Sequence, residues 1–209
     1  MMSGYSTKVC IVDYGSGNVR SVYNIFRSIS EAVQVSNDPD DLNAATHIVL
    51  PGVGAFGTAI AKVKALPSFN VLKENVLANK KPYLGICVGM QILADEGLEH
   101  GANQGLGWIP GTVKRIEAPG MHLPHVGWNN FTWCQTGSPL LKGIMTTMDF
   151  YYVHSYQFET VDKVARSATC TYGMDFTAVV NKENIYGVQF HPEKSQKAGK
   201  KLIENFLSL

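Results

Sequence analysis

Gly85-Ile86-Cys87-Val88-Gly89 sets a cysteine between two glycines, after the apolar run Pro82 to Ile86 and ahead of a helical pattern from Val88 to about Glu96. A G-x-C-x-G between strand and helix is the cysteine form of a nucleophile elbow. The reactive side chain stands on a strained turn, and small neighbours keep helix and strand from clashing. At the start of a helix the sulfur meets unpaired amides and the positive end of the dipole, which favour the nucleophilic thiolate. The amide of Val88, next in the chain, is placed to receive a developing oxyanion. Cys10, Cys134 and Cys170 lie in strand-like apolar runs without a glycine-flanked turn. They read as buried small hydrophobes, the ordinary fate of a free cysteine.

A thiol nucleophile needs a base, and the base needs a group to orient it. His191-Pro192-Glu193 offers both in three residues after the strand-like run Ile185 to Gln189. Pro192 fixes the backbone, so a histidine and a carboxylate two positions apart can project the same way. His47 opens a strand, His100 sits in a glycine-rich loop, and His122 and His125 flank Pro124; these read as surface or packing residues. His154, in Tyr152-Val153-His154-Ser155-Tyr156, stays open between packing and function. Gly52-Val53-Gly54 follows a strand on the edge where open α/β sheets bind ligands, and its amides would complete an oxyanion hole if that edge faces Cys87. The plainer reading is an ordinary turn. Gly15-Ser16-Gly17-Asn18 has Arg20 where a dinucleotide fingerprint needs its third glycine, which makes that claim weak. No H-x-x-x-H, H-x-x-E-H or C-x-x-C spacing gathers metal ligands on one element.

These groups need elements to hold them. The first half of the chain alternates strand and helix signals at short spacing, the pattern of βαβ units and a parallel sheet. Strands are expected at 8–12, 32–35, 47–50 and 82–86, and helices at 19–30, 38–45, 56–65, 68–79 and 88–96, with Pro67 parting two of them. From Gly111 onward short strands dominate, at 112–116, 130–133, 151–153, 164–171, 177–180 and 185–189. The last segment, 196–209, is an amphipathic helix with Leu202, Ile203, Phe206 and Leu207 on its apolar face. With no repeat and no low-complexity linker, one domain over residues 1–209 is expected.

Composition narrows the functions this scaffold can serve. The chain has 209 residues, 45% hydrophobic and 17% charged, with 18 Lys+Arg against 17 Asp+Glu. A domain of this size buries about 70% of its unfolded surface, enough for a real core. A net charge of +1 gives no basic excess for a nucleic acid or an anionic membrane, and Lys194 to Lys201, the densest basic stretch, reads as a solvated helix face. There is no apolar run long enough to span a bilayer, and Met1 to Cys10 lacks the layout of a signal peptide. A cytoplasmic protein is expected, with no cofactor implied.

Taken together, the elbow with Met90 and Gln91, Pro51-Gly52-Val53-Gly54 and His191-Pro192-Glu193 resemble the class I (triad) glutamine amidotransferases over essentially the whole chain. Further markers are Asp13-Tyr14-Gly15-Ser16-Gly17-Asn18, Pro124-His125-Val126-Gly127-Trp128-Asn129, the His154 segment and Gly187 to Ser195. That combination is most similar to the glutaminase subunits of imidazole glycerol phosphate synthases. The resemblance implies a flavodoxin-like α/β fold: a mostly parallel central sheet flanked by helices, with a smaller antiparallel extension. It implies a triad of Cys87, His191 and Glu193, an oxyanion hole from Gly52, Val53 and Val88, and glutamine contacts at Gly54, Gln91, His154, Ser155 and Tyr156. It also implies a heterodimer with a (β/α)8-barrel cyclase that consumes the ammonia in histidine biosynthesis, meeting this chain through Tyr14, Gly15, Asn18, Trp128 and Lys194. Val88 stands where many members carry Leu, which leaves its amide in place. Two readings compete. A glutaminase could serve another synthase, such as one for amino sugars of surface polysaccharides. Alternatively, a non-catalytic binding or redox-sensing module could use the same fold.

Overall fold

The computed structural model describes residues 7–134 and 137–209; residues 1–6, part of the segment read above for a leader, lie outside that description. The first half alternates β1 (Val9–Val12), α1 (Val19–Arg27), β2 (Val33–Ser36), α2 (Pro39–Ala44), β3 (His47–Gly52), α3 (Phe56–Lys64), α4 (Phe69–Leu77), β4 (Tyr83–Cys87) and α5 (Val88–Gln91). The second half runs β5 (Glu96–Gly97), β6 (Asn103–Gln104), β7 (Gly111–Arg115), β8 (His125–Asn129), β9 (Thr132–Trp133), β10 (Phe150–His154), β11 (Tyr156–Thr160), β12 (Arg166–Tyr172), β13 (Met174–Lys182), β14 (Ile185–Val188) and α6 (Gln196–Phe206).

The main sheet has the order β2-β1-β3-β4-β14-β13-β12-β9. Its first five strands are parallel, an order of the flavodoxin type, and the last three continue it antiparallel. β1, β3, β4 and β14 are buried along their whole length, so they read as continuous apolar runs rather than alternating ones. Phe206 of α6 packs edge-on against Phe26 of α1 (centroids 6.4 Å apart) and against His47 of β3 (5.2 Å), closing one face. The α2 start was legible in sequence: the Asp38 side chain accepts from the Asp40 amide at 2.8 Å, with Pro39 in the first turn.

Two small sheets, β8-β10 and β11-β7-β5-β6, form the rest of the antiparallel structure. Between β10 and β11 stands only Ser155, so the chain changes sheet there and the His154-Ser155-Tyr156 backbone turns toward the carboxyl edge of the main sheet.

Three sequence expectations need correction. The helix expected at 88–96 is a single turn ending at Gln91. The carbonyls of Ile92, Leu93, Ala94 and Asp95 are taken by the amides of Leu106, Trp108, Gly107 and Gly105 instead of by the next helical turn. A Cβ on Gly105 would lie 2.1 Å from the Ala94 carbonyl oxygen, so only glycine lets that segment come close enough to compete. β8 and β11 were missed although both carry a strand signal: Tyr156 and Phe158 alternate with the polar Gln157 and Glu159, and Val126 and Trp128 stand two apart around Gly127. Cys134 is exposed rather than buried, while Cys10 and Cys170 are buried as expected.

Candidate active site

β4 ends on Cys87, whose backbone sits at φ +54° and ψ −111°, a strained conformation for a side-chain-bearing residue. The flanking glycines permit it. A Cβ on Gly89 would stand 1.9 Å from the Leu50 carbonyl oxygen of β3, and one on Gly85 would stand 2.4 Å from the Gly89 carbonyl oxygen. Gly52 is equally constrained, since a Cβ there would approach the Gly89 amide to 2.6 Å. Three backbones thus meet at distances only glycine tolerates, which is the physical content of the G-x-C-x-G motif.

The sheet ladder then places the partners. β3 pairs with β4 so that Gly52 is level with Cys87, and β14 pairs with β4 so that Val188 is level with Ile86. The residues following these two strands arrive on either side of the thiol. His191 is clamped there: its amide donates to the Tyr151 carbonyl at 2.8 Å, and its carbonyl accepts from Ser195 Oγ at 2.6 Å. His191 Nδ1 lies 2.8 Å from Glu193 Oε1, with 2% and 1% of the two side chains exposed. Asn18 Nδ2 donates to that same carboxylate oxygen at 3.4 Å.

Because the Nδ1–H donates to Glu193, Nε2 is the nitrogen left for chemistry; it is buried without a hydrogen bond of regular geometry among the described residues. Burial alone would push this imidazole's pKa down, but Cys87 and Glu193 overcome that and raise it to about 10. His191 therefore holds its proton through neutral pH, as a donor to a leaving amine must. The raised value contributes stability that is full below the ordinary histidine pKa near 6.5 and is lost as pH climbs through about 10. Glu193→Gln removes one of the groups holding the proton. The alkaline limb of the kcat/KM profile should accordingly move to lower pH; superimposable profiles would exclude this role for the carboxylate.

The cavity over Cys87 has a volume of about 510 Å³, and Val53, Gly54, Val88, Gln91, His154, Ser155 and Tyr156 all line it. Every residue expected to contact glutamine and both valines of the expected oxyanion hole are thus brought to one place. Val53 is also tethered, its carbonyl accepting from Ser16 Oγ at 3.2 Å. His154 donates from Nδ1 to the Tyr156 carbonyl at 2.9 Å and through Nε2 meets His125 Nδ1 at 3.1 Å. Burial lowers the pKa of His154 to about 3 and that of His125 to about 4, so this pair stays neutral beside the triad.

The interface residues divide. Gly15 and Lys194 are exposed, Trp128 is 48% exposed, and the Lys194 ammonium lies 5.3 Å from the centroid of the Tyr151 ring, against which Trp128 packs edge-on at 5.9 Å. Tyr14 does not belong with them. It is 5% exposed, and its hydroxyl lies beneath Gly52, because the glycine-rich turn folds under β3 instead of projecting from it. Asn18 is likewise turned inward to Glu193.

Two residues at the site escaped the sequence reading. Glu99 lines the cavity and caps α3, accepting from the Phe56 amide at 2.8 Å; nothing in its loop sequence marks it. Gln189, fully buried, donates to Cys87 Sγ at 3.7 Å. Its signal was a lone amide between Val188 and Phe190, where a buried polar side chain requires partners. Among the described residues no group of three or more His, Cys, Asp and Glu gathers as a metal site would need.

A flavodoxin-type sheet carrying a Cys-His-Glu triad at its carboxyl edge defines a class of enzyme, and the chain belongs to it: residues 10–209 match the class-I glutamine amidotransferase family. The resemblance drawn from the motifs is thereby borne out. Within the family the chain is similar to the imidazole glycerol phosphate synthase subunit HisH. It is 43% identical to that of Rhodospirillum rubrum over 209 residues, 96% of this chain and 98% of the relative. It is 45% identical to that of Methanothermobacter thermautotrophicus over 204 residues, 96% of this chain and 98% of the relative. Among solved structures, PurLQS from Thermotoga maritima superposes with a TM-score of 0.73 at 17% identity, covering 97% of this chain and 98% of that one. That likeness supports the fold.

Proposed function

We propose that this chain is the glutaminase subunit of an imidazole glycerol phosphate synthase, hydrolysing L-glutamine and handing the ammonia to a cyclase subunit. The observation that carries the reading is the convergence of Cys87 and His191 on one cavity, with Glu193 bonded to His191, in a chain 43% identical to HisH subunits over nearly its full length.

Cys87 Sγ attacks the side-chain carbonyl carbon of glutamine. The carbonyl oxygen takes up the electron pair and is received by the Val88 amide and by the Gly52-Val53 backbone beside it. When the tetrahedral intermediate collapses, the C–N bond breaks and His191 Nε2 gives its proton to the departing ammonia, leaving a thioester on Cys87. Neutral His191 then takes a proton from water, which attacks the thioester; glutamate leaves and the thiol is restored. Glu193 holds the imidazole in the right tautomer throughout. No cofactor is required. At the other end of the substrate, Glu99 supplies a carboxylate for the α-ammonium, and the backbone of His154 to Tyr156 supplies polar groups for the amino-acid head.

The ammonia passes to a (β/α)8-barrel cyclase, which forms imidazole glycerol phosphate and aminoimidazole carboxamide ribotide. Gly15, Trp128 and Lys194, exposed at the surface, are the residues through which that partner docks, with the Trp128–Tyr151–Lys194 cluster as an aromatic anchor. The reading places the protein in the cytoplasm, without nucleic acid or membrane; among the described residues no helix is long and apolar enough to cross a membrane.

The test is glutamate release by the purified chain, alone and with the candidate cyclase carrying its ligand. The lone chain should be nearly inactive, because free hydrolysis wastes glutamine, and the loaded partner should raise the rate by about tenfold or more. Silence in both arms would overturn the function. Vigorous activity of the lone chain would overturn its dependence on the partner.

A further inference from the structure

From the buried amides beside the nucleophile we infer that Gln189 is a positioning residue that fixes both the Cys87 sulfur and the substrate-facing orientation of Gln91. The inference rests on the reading of Cys87 as nucleophile.

The amide orientations are forced, starting from a group that cannot flip. The Tyr156 backbone carbonyl can only accept, so the end of Gln91 that lies 3.1 Å from it must be the nitrogen. The same Nε2 lies 3.0 Å from the side chain of Gln189, which must therefore present its oxygen there. With its oxygen held by Gln91, Gln189 has only its nitrogen left to turn toward Cys87 Sγ, 3.7 Å away. The chain of dependence runs from a fixed carbonyl to a reactive sulfur through two buried side chains, Gln91 at 3% exposure and Gln189 at 0%.

Two consequences follow. Both N–H donors of Gln91 are committed inside the protein, so it can offer the substrate only its carbonyl oxygen. Meanwhile the thiolate receives an N–H donor from the segment after β14, and hydrogen bonds to an ionised acceptor are the strong ones. The charged and titratable groups facing that sulfur or its cavity are His191 and Glu193 from the segment after β14, the Tyr14 phenol from the turn after β1 and Glu99 from the loop after β5, with neutral His154 interacting with His191. Of the neighbouring side chains described here, Gln189 alone places an uncharged donor on the sulfur.

Alkylation of the full chain with iodoacetamide across pH tests this, with Cys87 followed by peptide mass spectrometry so that exposed Cys134 does not confuse the signal. Gln189→Met, close in shape and without the amide, should displace the Cys87 alkylation profile to higher pH and slow alkylation at neutral pH about tenfold, as expected for a lost charge-assisted bond. In the complex the same variant should raise KM for glutamine as well as lower kcat, because Gln91 is no longer held. Gln91→Met supplies the second arm should the first variant not fold. Its described hydrogen bonds go to Tyr156 and Gln189 and none to Cys87, yet by freeing Gln189 it should displace the alkylation profile in the same direction. Profiles that superimpose on the parent in either folded variant would overturn the inference while leaving the nucleophile reading intact. A parent chain in which Cys87 reacts no faster than buried Cys10 and Cys170 would overturn both.

Discussion

Cys87→Ala should abolish glutamate release from glutamine, by a factor of about 10⁴ or more, while the complex still turns over when supplied with free ammonium. The size follows from the mechanism. Without the thiol no thioester forms, and what remains is a cavity with an oxyanion hole and a histidine, which accelerates hydrolysis far less than an intact nucleophile and base. Unfolding cannot account for such a loss. Cys87 is one small side chain at the end of a strand, and its truncation to Ala costs on the order of 1 kcal/mol in packing. The ammonium arm separates the readings further, since a partner that receives ammonia directly bypasses everything this chain does. Should Cys87→Ala retain glutamine-dependent turnover, both the triad and the assignment fall, and a non-catalytic role on the same fold would gain ground.

Gly89→Ala is the second large effect, and it acts on stability. The added Cβ would lie 1.9 Å from the Leu50 carbonyl oxygen, and both partners of the clash are backbone. No rotamer can relieve it. Leu50 is held in register against Gly85 by the β3–β4 ladder, so the turn carrying Cys87 must be pushed off the sheet. Overpacking of this kind costs about 3 kcal/mol or more, which for a chain of this length lowers Tm by roughly 6–12 °C. Activity should fall with it, because the elbow and the Val88 amide move together. Gly101→Ala is the control: that glycine has φ +107° but nothing within 4 Å of a Cβ, so it reports conformational strain alone, about 1–2 kcal/mol. Equal melting points for the parent and Gly89→Ala would show that the close approach is not what the glycine is for.

The chemistry was more legible in the sequence than the framework around it. Cys87 declares itself because a nucleophile on a strained turn forces glycines at fixed offsets, and the His191-Pro192-Glu193 group declares itself because base and orienter are neighbours in the chain. The parallel strands were equally plain, since strands buried on both faces must be apolar throughout. Legibility failed where the determining contact lies far away in sequence. Nothing in residues 92–95 says that their carbonyls are taken by residues 105–109, so the helix reads too long. Nor does Asp13-Tyr14-Gly15 reveal that the tyrosine folds beneath β3, which removes Tyr14 from the expected interface. Glu99 reaches the cavity, and Gln189 the thiol beneath it, through tertiary packing, and only the second left a trace, as a polar residue in an apolar run.

The position of β14 has a consequence for how the protein comes into being. That strand is not added at the edge of the sheet. It is inserted between β4 and β13, and its partner contact with the nucleophile, Gln189 to Cys87, spans 102 residues. Contacts of such long separation form late, because a long loop must close before they stabilise anything. A nascent chain emerging from the ribosome therefore carries its thiol through the synthesis of the next 102 residues without a base, an orienter or a completed sheet. The last strand laid down is the one that arms the site, so a chain abandoned in mid-synthesis contains the cysteine yet cannot consume glutamine.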